Sequence, residues 1–591
     1  MSPAWTLSTL RMFQRTICAR SRNSVLAEHT PRAHKPADEL PRARDPYPRT
    51  SDCDSAASNG FPATDERSGV FERRGNRRRV ERGYRGAADA CSNRIHKSIK
   101  IKGAHLITSV AVLMLILPAV GALLSVVLKR RARPAAVMTA TITTGLAIWL
   151  TLSTFGAPYT RMLGDLPWLH GIVDTPILGI FVDPLASLML LVVAPIGLLT
   201  VLYSTAYLTD KNREHPVGSE HYGRYYFWLL LFITSMVGMA VSPNFLQFFA
   251  FWELTTLCSW ALISFHQDAR SLRAGFKALL MTSAGSAFFL LAILIIFVRT
   301  NSFDFSALSK LPDGLRSWVL LFFLIAAWAK AAQVPLQTWL PDAMEAPTPI
   351  SAYLHAAAMV KAGVYLMART VSSGWGIPPK ISLLMGGMAL LTIFVALSFY
   401  FVQDDLKRLL AYSTIAHLGY VLLGIAIGGL GATLGFRGGV LHIICHGYSK
   451  ATLFFCAGNI AYVTGTRNIS GLRGLGRSMP LTATAFFIGL LSVTGVPPLA
   501  CFWSKFMILS GAMSLGGPIG PLILVLILCE TLISFGWMLY IGQKIFLGAP
   551  LAVAQVPSDP PWAMNVTLII LMIGCVAAPL VGMPLVQLMG K

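Results

Sequence analysis

From residue 105 onward the chain passes through one stretch of about twenty apolar residues after another, with short polar breaks between them. Stretches of that length match the ~30 Å hydrocarbon core of a bilayer when helical. Inside hydrocarbon every backbone N–H and C=O must be satisfied by the protein itself, which an α-helix does within one segment. Fourteen segments are expected, near 105–128, 134–153, 181–206, 224–242, 245–265, 277–298, 317–333, 349–371, 381–402, 407–428, 434–462, 480–512, 517–545 and 563–587. The expected fold is an all-α polytopic membrane protein, in which the 317–333 and 480–512 segments are broken helices.

Composition agrees. Hydrophobic residues make up 54% of the 591 and charged residues 13%, against about 25% charged in soluble domains. The net charge of +22 is unevenly spread. Residues 1–100 hold 20 basic and 11 acidic side chains, without apolar periodicity, and are expected to form a disordered basic tail. Three readings of the tail compete: an anionic-lipid or nucleic-acid arm, a transit-like leader, or upstream sequence dispensable to the working protein, the last being preferred. No nucleic-acid partner is expected for the body. The nine cysteines are scattered, with no C-x-x-C, and neither a P-loop nor G-x-G-x-x-G occurs. No cofactor and no metal site are therefore expected.

Orientation follows from Lys and Arg in the short loops. If the loop after the first segment is cytoplasmic, that side carries sixteen basic residues and the other side eight, leaving the tail aside. Both termini would then face outward.

An ionisable group at membrane depth is costly and is a functional hypothesis by default. The body has a series of them. Glu253 lies mid-way along the fifth segment. Lys330, in the seventh, cannot easily reach the interface and needs a carboxylate or water, with Glu253 its expected partner. Pro335 follows, frees the carbonyl of Ala331 and marks a helix break or kink. His355 and Lys361 lie in the eighth segment. His442, His446 and Lys450 in the eleventh are spaced i, i+4, i+8 and share one helix face. Two imidazoles and an amine in file suit a proton relay; metal ligation is the lesser alternative. Lys505 stands just after Pro497 and Pro498. Lys361, Glu530, His417 and Asp183 are secondary candidates, with a helix-end or packing role expected for Asp183 and His417. The lysine-and-proline pairing recurs, so 224–371 and 381–545 are expected to be two inverted five-helix repeats. They follow an N-terminal region, 101–223, and precede a last helix, 563–587.

The strings AQVPLQTWLPDAMEAPTPISAYLHAAAMVKAGVYL, FWELTTLCSWALIS, DDLKRLLAYSTIAHLGY and GVPPLACFWSK resemble the antiporter-like proton-translocating subunits. That family includes Mrp-type cation/proton antiporters, antiporter-like subunits of complex I, and membrane-bound hydrogenases. The resemblance covers about 180–545 and is nearest to the large A subunit of Mrp antiporters. It implies two half-channels joined by a polar axis at the membrane midplane. By motif it implies that Glu253 is the fifth-helix glutamate, Lys330 its broken-helix lysine and His355 the eighth-helix histidine. It likewise implies that His442, His446 and Lys450 are the relay and Lys505 the lysine before the exit. Gly447, Tyr448 and Ser449 depart from an aromatic pair more usual there. The chain ends just after the fourteenth segment, short of the extensions of both large subunits, which leaves its complex open.

The expected function is proton or cation/proton translocation within a multi-subunit complex in a bacterial-type inner membrane, with protons and, in an exchanger, sodium or potassium as the ions moved. A proton-pumping subunit of a redox complex is the first alternative, without a redox site of its own. A membrane subunit of an inorganic-carbon uptake system is the second.

Overall fold

The structure is a computed structural model that describes residues 103–164, 176–372, 377–548 and 560–589. The basic segment 1–100, and every expectation about it, lies outside the described residues. Helix α1 spans 103–128 and turns through Lys129–Arg131 into α2, Ala132–Ser153. Strands β1, Tyr159–Gly164, and β2, Leu178–Val182, then pair antiparallel. The remaining helices follow as α3 Pro184–Tyr207, α4 Tyr222–Ala240, α5 Phe245–Ile263, α6 Ala269–Thr300 and α7 Asp313–Lys330. After a single turn at Trp339–Asp342 come α8 Thr348–Ala356, α9 Met359–Ser372, α10 Pro379–Tyr400, α11 Leu406–Gly429 and α12 Thr433–Thr464. The last four are α13 Pro480–Thr494, α14 Ala500–Met513, α15 Ile519–Phe546 and α16 Trp562–Gln587. Each of the fourteen expected segments coincides with one helix or one broken pair. Among the described residues, nine helical stretches are long and apolar enough to cross a membrane.

The helical fold holds, with one local addition, the short hairpin. The third segment was expected from 181, yet Phe181 and Val182 belong to β2. Asp183 stops the strand and starts the helix: its carboxylate accepts the N–H of Ala186, and Pro184 takes the first helical turn, where a missing N–H costs nothing. The hairpin is pinned to α5 through Gln247, whose amide exchanges hydrogen bonds of 2.9 and 3.0 Å with Gly179.

Helix α12 is the hub. Nearly all of its length is buried, and it packs on α3, α8, α11, α13, α14 and α16. By contrast α15 exposes Leu522, Val525, Leu528 and Leu532, and α6 exposes Leu272, Phe276 and Leu280. In water such stripes would be a liability, whereas towards lipid they are the required surface.

Two parts of the fold repeat a device. Asn244 caps α5 and bridges to Asp304, while Phe245 donates to the carbonyl of Phe303. Asp405 caps α11 and bridges to Asn468, while Leu406 donates to the carbonyl of Arg467. Each bridge precedes a broken helix, α7 in one case and α13 with α14 in the other.

Where helices end in loops, ionic contacts tie the ends together. Arg467 reaches Asp405 at 2.6 Å, Glu345 at 3.4 Å and Glu214 at 3.6 Å. Burial alone would raise the Glu214 carboxyl, but Lys407 and Arg467 outweigh it and hold it below its ordinary value. Two of the basic residues in the loop tally, Lys407 and Arg369, are in fact buried. Lys407 donates to the carbonyl of Ala346 at 2.7 Å, and Arg369 pairs with Asp183 at 2.5 Å.

Candidate functional site

The seventh and twelfth segments break where expected. Helix α7 stops at Lys330, and the Val334–Pro335 bond that follows is cis. The carbonyl of Ala331, left free by the proline, accepts the Gln333 side-chain amide at 2.9 Å, which also reaches the carbonyl of Ile415 on α11 at 3.3 Å. Helix α13 stops at Thr494, Pro497–Pro498 is cis, and α14 resumes at Ala500. A third break was not expected. Between α8 and α9 the N–H of Ala358 skips to the carbonyl of Tyr353, at 2.9 Å.

Lys330 is fully buried. Its ammonium donates to the carbonyl of Trp252 at 2.9 Å and to the hydroxyl of Thr256, and lies 4.8 Å from the Trp252 ring centre. The expected contact with Glu253 is not made: among the described residues no ion pair joins the two, and Glu253 Oε1 is buried without a hydrogen-bond partner. Helix geometry gives the reason. Trp252 and Thr256 share the face of α5 turned to α7, and Glu253 is rotated about 100° away from Trp252.

His355, also fully buried, stacks on Phe454 with ring centres 4.6 Å apart. Both of its ring nitrogens lack a hydrogen-bond partner among the described residues, and no direct bond links it to Lys330. Lys361 sits just beyond the third break. Its Nζ meets His446 Nδ1 at 2.7 Å. His417 Nδ1 in turn meets His442 Nε2 at 3.0 Å, and His442 Nδ1 meets the Ser504 hydroxyl at 2.8 Å. The His417 and His446 rings are 5.2 Å apart, and those of His442 and His446 5.9 Å. Three helices thus contribute imidazoles or hydroxyls to one buried row.

Lys450, expected next to His446 in that row, turns away and donates to the carbonyl of Leu410 at 3.2 Å. Lys505 donates to the carbonyl of Thr494 at 3.2 Å and to Thr531 at 3.4 Å, and stands 4.5 Å from the Tyr420 ring centre. Tyr420 donates to Glu530, whose other oxygen is buried without a partner among the described residues. Lys361 and His417, secondary by sequence, are therefore central to the row, and Glu530 lies at its Lys505 end. Asp183 has the expected helix-end role. Thr256, Tyr420, Ser504 and Thr531 were missed; Tyr420, three residues after His417, had a readable signal in helix spacing.

The row joins imidazoles, amines and hydroxyls, and its Lys361 and Lys505 ends each lie just beyond a helix break. Among the described residues no group of three or more His, Cys, Asp or Glu is placed to hold a metal ion.

Comparison with known proteins gives the family. Residues 242–534 match the family described as NADH:quinone oxidoreductase/Mrp antiporter, transmembrane, and residues 173–226 match NADH-ubiquinone oxidoreductase (complex I), chain 5 N-terminus. The chain belongs to the antiporter-like family. Among curated antiporter-like relatives, NAD(P)H-quinone oxidoreductase subunit 5 of the Chara vulgaris chloroplast is 39% identical, over 58% of this chain and 53% of that protein. Subunit 5 from the Paulinella chromatophora chromatophore is 37% identical, over 60% and 54%. This antiporter-like chain spans about half the length of these relatives. Among solved structures, the Mrp complex from Dietzia sp. DQ12-45-1b aligns with TM-score 0.72 and 31% identity, over 81% of this chain and 52% of that one. The archaeal membrane-bound sulfane sulfur reductase aligns with TM-score 0.70 and 25% identity, over 81% and 96%. The chain is an integral, multi-pass membrane protein.

Proposed function

We propose that the chain translocates protons across a membrane through a buried relay, as one antiporter-like subunit of a larger complex. The observation that carries this reading is the pair of short contact runs Lys361–His446 and His417–His442–Ser504, brought together where the His446 and His417 rings lie 5.2 Å apart, with Lys505, Tyr420 and Glu530 beside them. An imidazole can take up a proton on one ring nitrogen and release one from the other, so a row of them can hand a proton on. Lys330 stands at the head of the path, at the broken end of α7. His355 accepts next, and the proton then follows Lys361, His446, His417 and His442 to Lys505 at the second break. Glu253 acts on Lys330 through space, as the nearby negative charge on α5. The repeated caps of α5 and α11 support two related halves, 224–371 and 381–545, each contributing a half-channel.

The partners in this reading are other membrane subunits, with sodium or potassium exchanged for the proton if the complex is of Mrp type. A redox-complex reading has its own support, because the curated relatives are named as quinone oxidoreductase subunits. The channel would then be the same and the driving force would come from partner subunits. The setting is a bacterial-type inner membrane, or the organelle membrane that the chloroplast relatives suggest.

Proton flux in vesicles holding the assembled complex tests the proposal. Lys330→Ala and Lys361→Ala should abolish most of the flux without loss of assembly. Wild-type flux from both would sink it.

A further inference from the structure

The first turns of α6 carry a second kind of feature, on the outside of the bundle. Arg270, Arg273 and Lys277 stand on one face, spaced i, i+3 and i+7, within about 12 Å of helix axis. With Arg408 and Arg467 they line a cavity of ≈ 530 Å³ that also holds Asp342, Glu345 and Asp405. The three carboxylates are already engaged. Asp342 is bound by Lys277 and Arg408, each at 2.7 Å, and Arg467 takes Asp405 and Glu345. Among the described residues Arg270 and Arg273 make no ion pair, and Arg273 only folds back to the carbonyl of Ala269. The basin therefore has two guanidiniums in excess.

A second depression, of ≈ 610 Å³, adjoins it and shares Arg273 and Lys277. Its other walls are Leu272, Phe276, Leu280 and Met281. Leu272, Phe276 and Leu280 follow each other at i, i+4 and i+8 and are about half exposed, at 46%, 56% and 54%. The apolar groove thus runs down the membrane-crossing helix from a cationic head. A basin alone would suit any small phosphate, and a groove alone any acyl chain. Their continuity through Arg273 and Lys277 has the shape and charge order of one anionic phospholipid.

We propose that this basin and groove bind an anionic phospholipid, its phosphate at Arg270 and Arg273 and an acyl chain along Leu272, Phe276 and Leu280. The bound lipid would bridge α6 to the Asp342–Arg408 contact, and so to the start of α11, from outside the relay.

The test uses the assembled complex in bilayers containing phosphatidylglycerol or phosphatidylcholine with a photoactivatable acyl chain. Adducts on residues 272–281 are mapped by mass spectrometry. Phosphatidylglycerol should label this stretch well above phosphatidylcholine. Each guanidinium removed should lower the preference roughly fivefold, so R270Q/R273Q should bring the two lipids level. Phe276→Asn should weaken labelling by both lipids, and inorganic phosphate should not compete. Equal labelling in the wild type, or an unchanged preference in R270Q/R273Q, overturns the proposal. So does full competition by phosphate, which would mark a free-phosphate basin. All three substituted residues are exposed, so failure to fold does not confuse the result.

Discussion

Lys361 and His446 meet at 2.7 Å in a fully buried place, so at most one of them readily holds an extra proton. A bond of that kind contributes about 1.5–3 kcal/mol when one member is charged. Lys361→Ala is therefore expected to slow flux roughly ten- to a hundredfold, and Lys361→Arg to restore only part of it, as pH-jump measurements on vesicles would show. Asp183 and Arg369 illustrate the opposite case, a largely buried pair with a structural task. Removing one partner of such a pair costs about 3–5 kcal/mol. Asp183→Asn should lower the melting temperature sharply in a thermal-shift assay, and Asp183→Asn with Arg369→Met should recover much of the loss. At this scale the sequence shows which residues are costly to bury, since an ionisable group in an apolar run is visible without structure. It does not show which of them touch. His442, His446 and Lys450 share a face by spacing, yet only the helices opposite decide that His446 finds Lys361 while Lys450 finds a carbonyl. The hydroxyls of Tyr420 and Ser504 escaped notice because neutral polar residues are common in membrane helices.

Helices α11 and α12 approach through glycine. A Cβ on Gly424 would lie 2.6 Å from the Cα of Gly439 and 2.8 Å from the carbonyl of Gly435, both immovable backbone. Gly424→Leu should push the two helices apart, at a cost of about 1–3 kcal/mol or more. It should also stretch the 3.0 Å contact between His417 on α11 and His442 on α12. Flux should fall although no titratable group is touched, and Gly387→Ala, where a Cβ meets nothing, supplies the control. Helix positions were well legible, because hydropathy over twenty residues is a strong signal. The prolines announced the breaks after Lys330 and Thr494. The break between α8 and α9 has no such mark: the local sequence is alanine-rich and would run straight in isolation. Gly447 of α12 presses on it, a Cβ there meeting the Ala356 carbonyl at 2.9 Å, so tertiary packing sets that turn. The hairpin was hidden for a related reason: β2 reads as the apolar start of α3 until Asp183 is seen to cap it.

For the molecule as a whole, the loop ends give a handle on pH. His266, between α5 and α6, lies with its ring 4.5 Å from that of His215. Burial, then the neighbouring His215 and Lys407, lowers its pKa to about 4, with Asp268 and Glu214 opposing. The unfolded value is about 6.5, so the unfolded chain binds the proton more readily and acid favours unfolding. Stability should fall as pH drops from about 6.5 towards 4, and His266→Asn should flatten that slope in melting curves. Glu214, also held low, adds its own loss only further down, as pH falls through its folded value. Membrane class, helix order and family were all legible from residue strings, because each motif is long and lies in a fixed sequence. The choice between antiporter and redox complex was not, because it depends on partner subunits whose contacts leave no local pattern in this chain.

Four of the buried lysines share one further trait. Lys330, Lys407, Lys450 and Lys505 each donate to a main-chain carbonyl, of Trp252, Ala346, Leu410 and Thr494 respectively. A carbonyl survives any substitution at its own position. The resting place of each ammonium is therefore inherited with the helix path and not with the neighbouring side chains. Relatives that keep the fold at about 31% identity can keep these four seats while most of the surrounding residues drift.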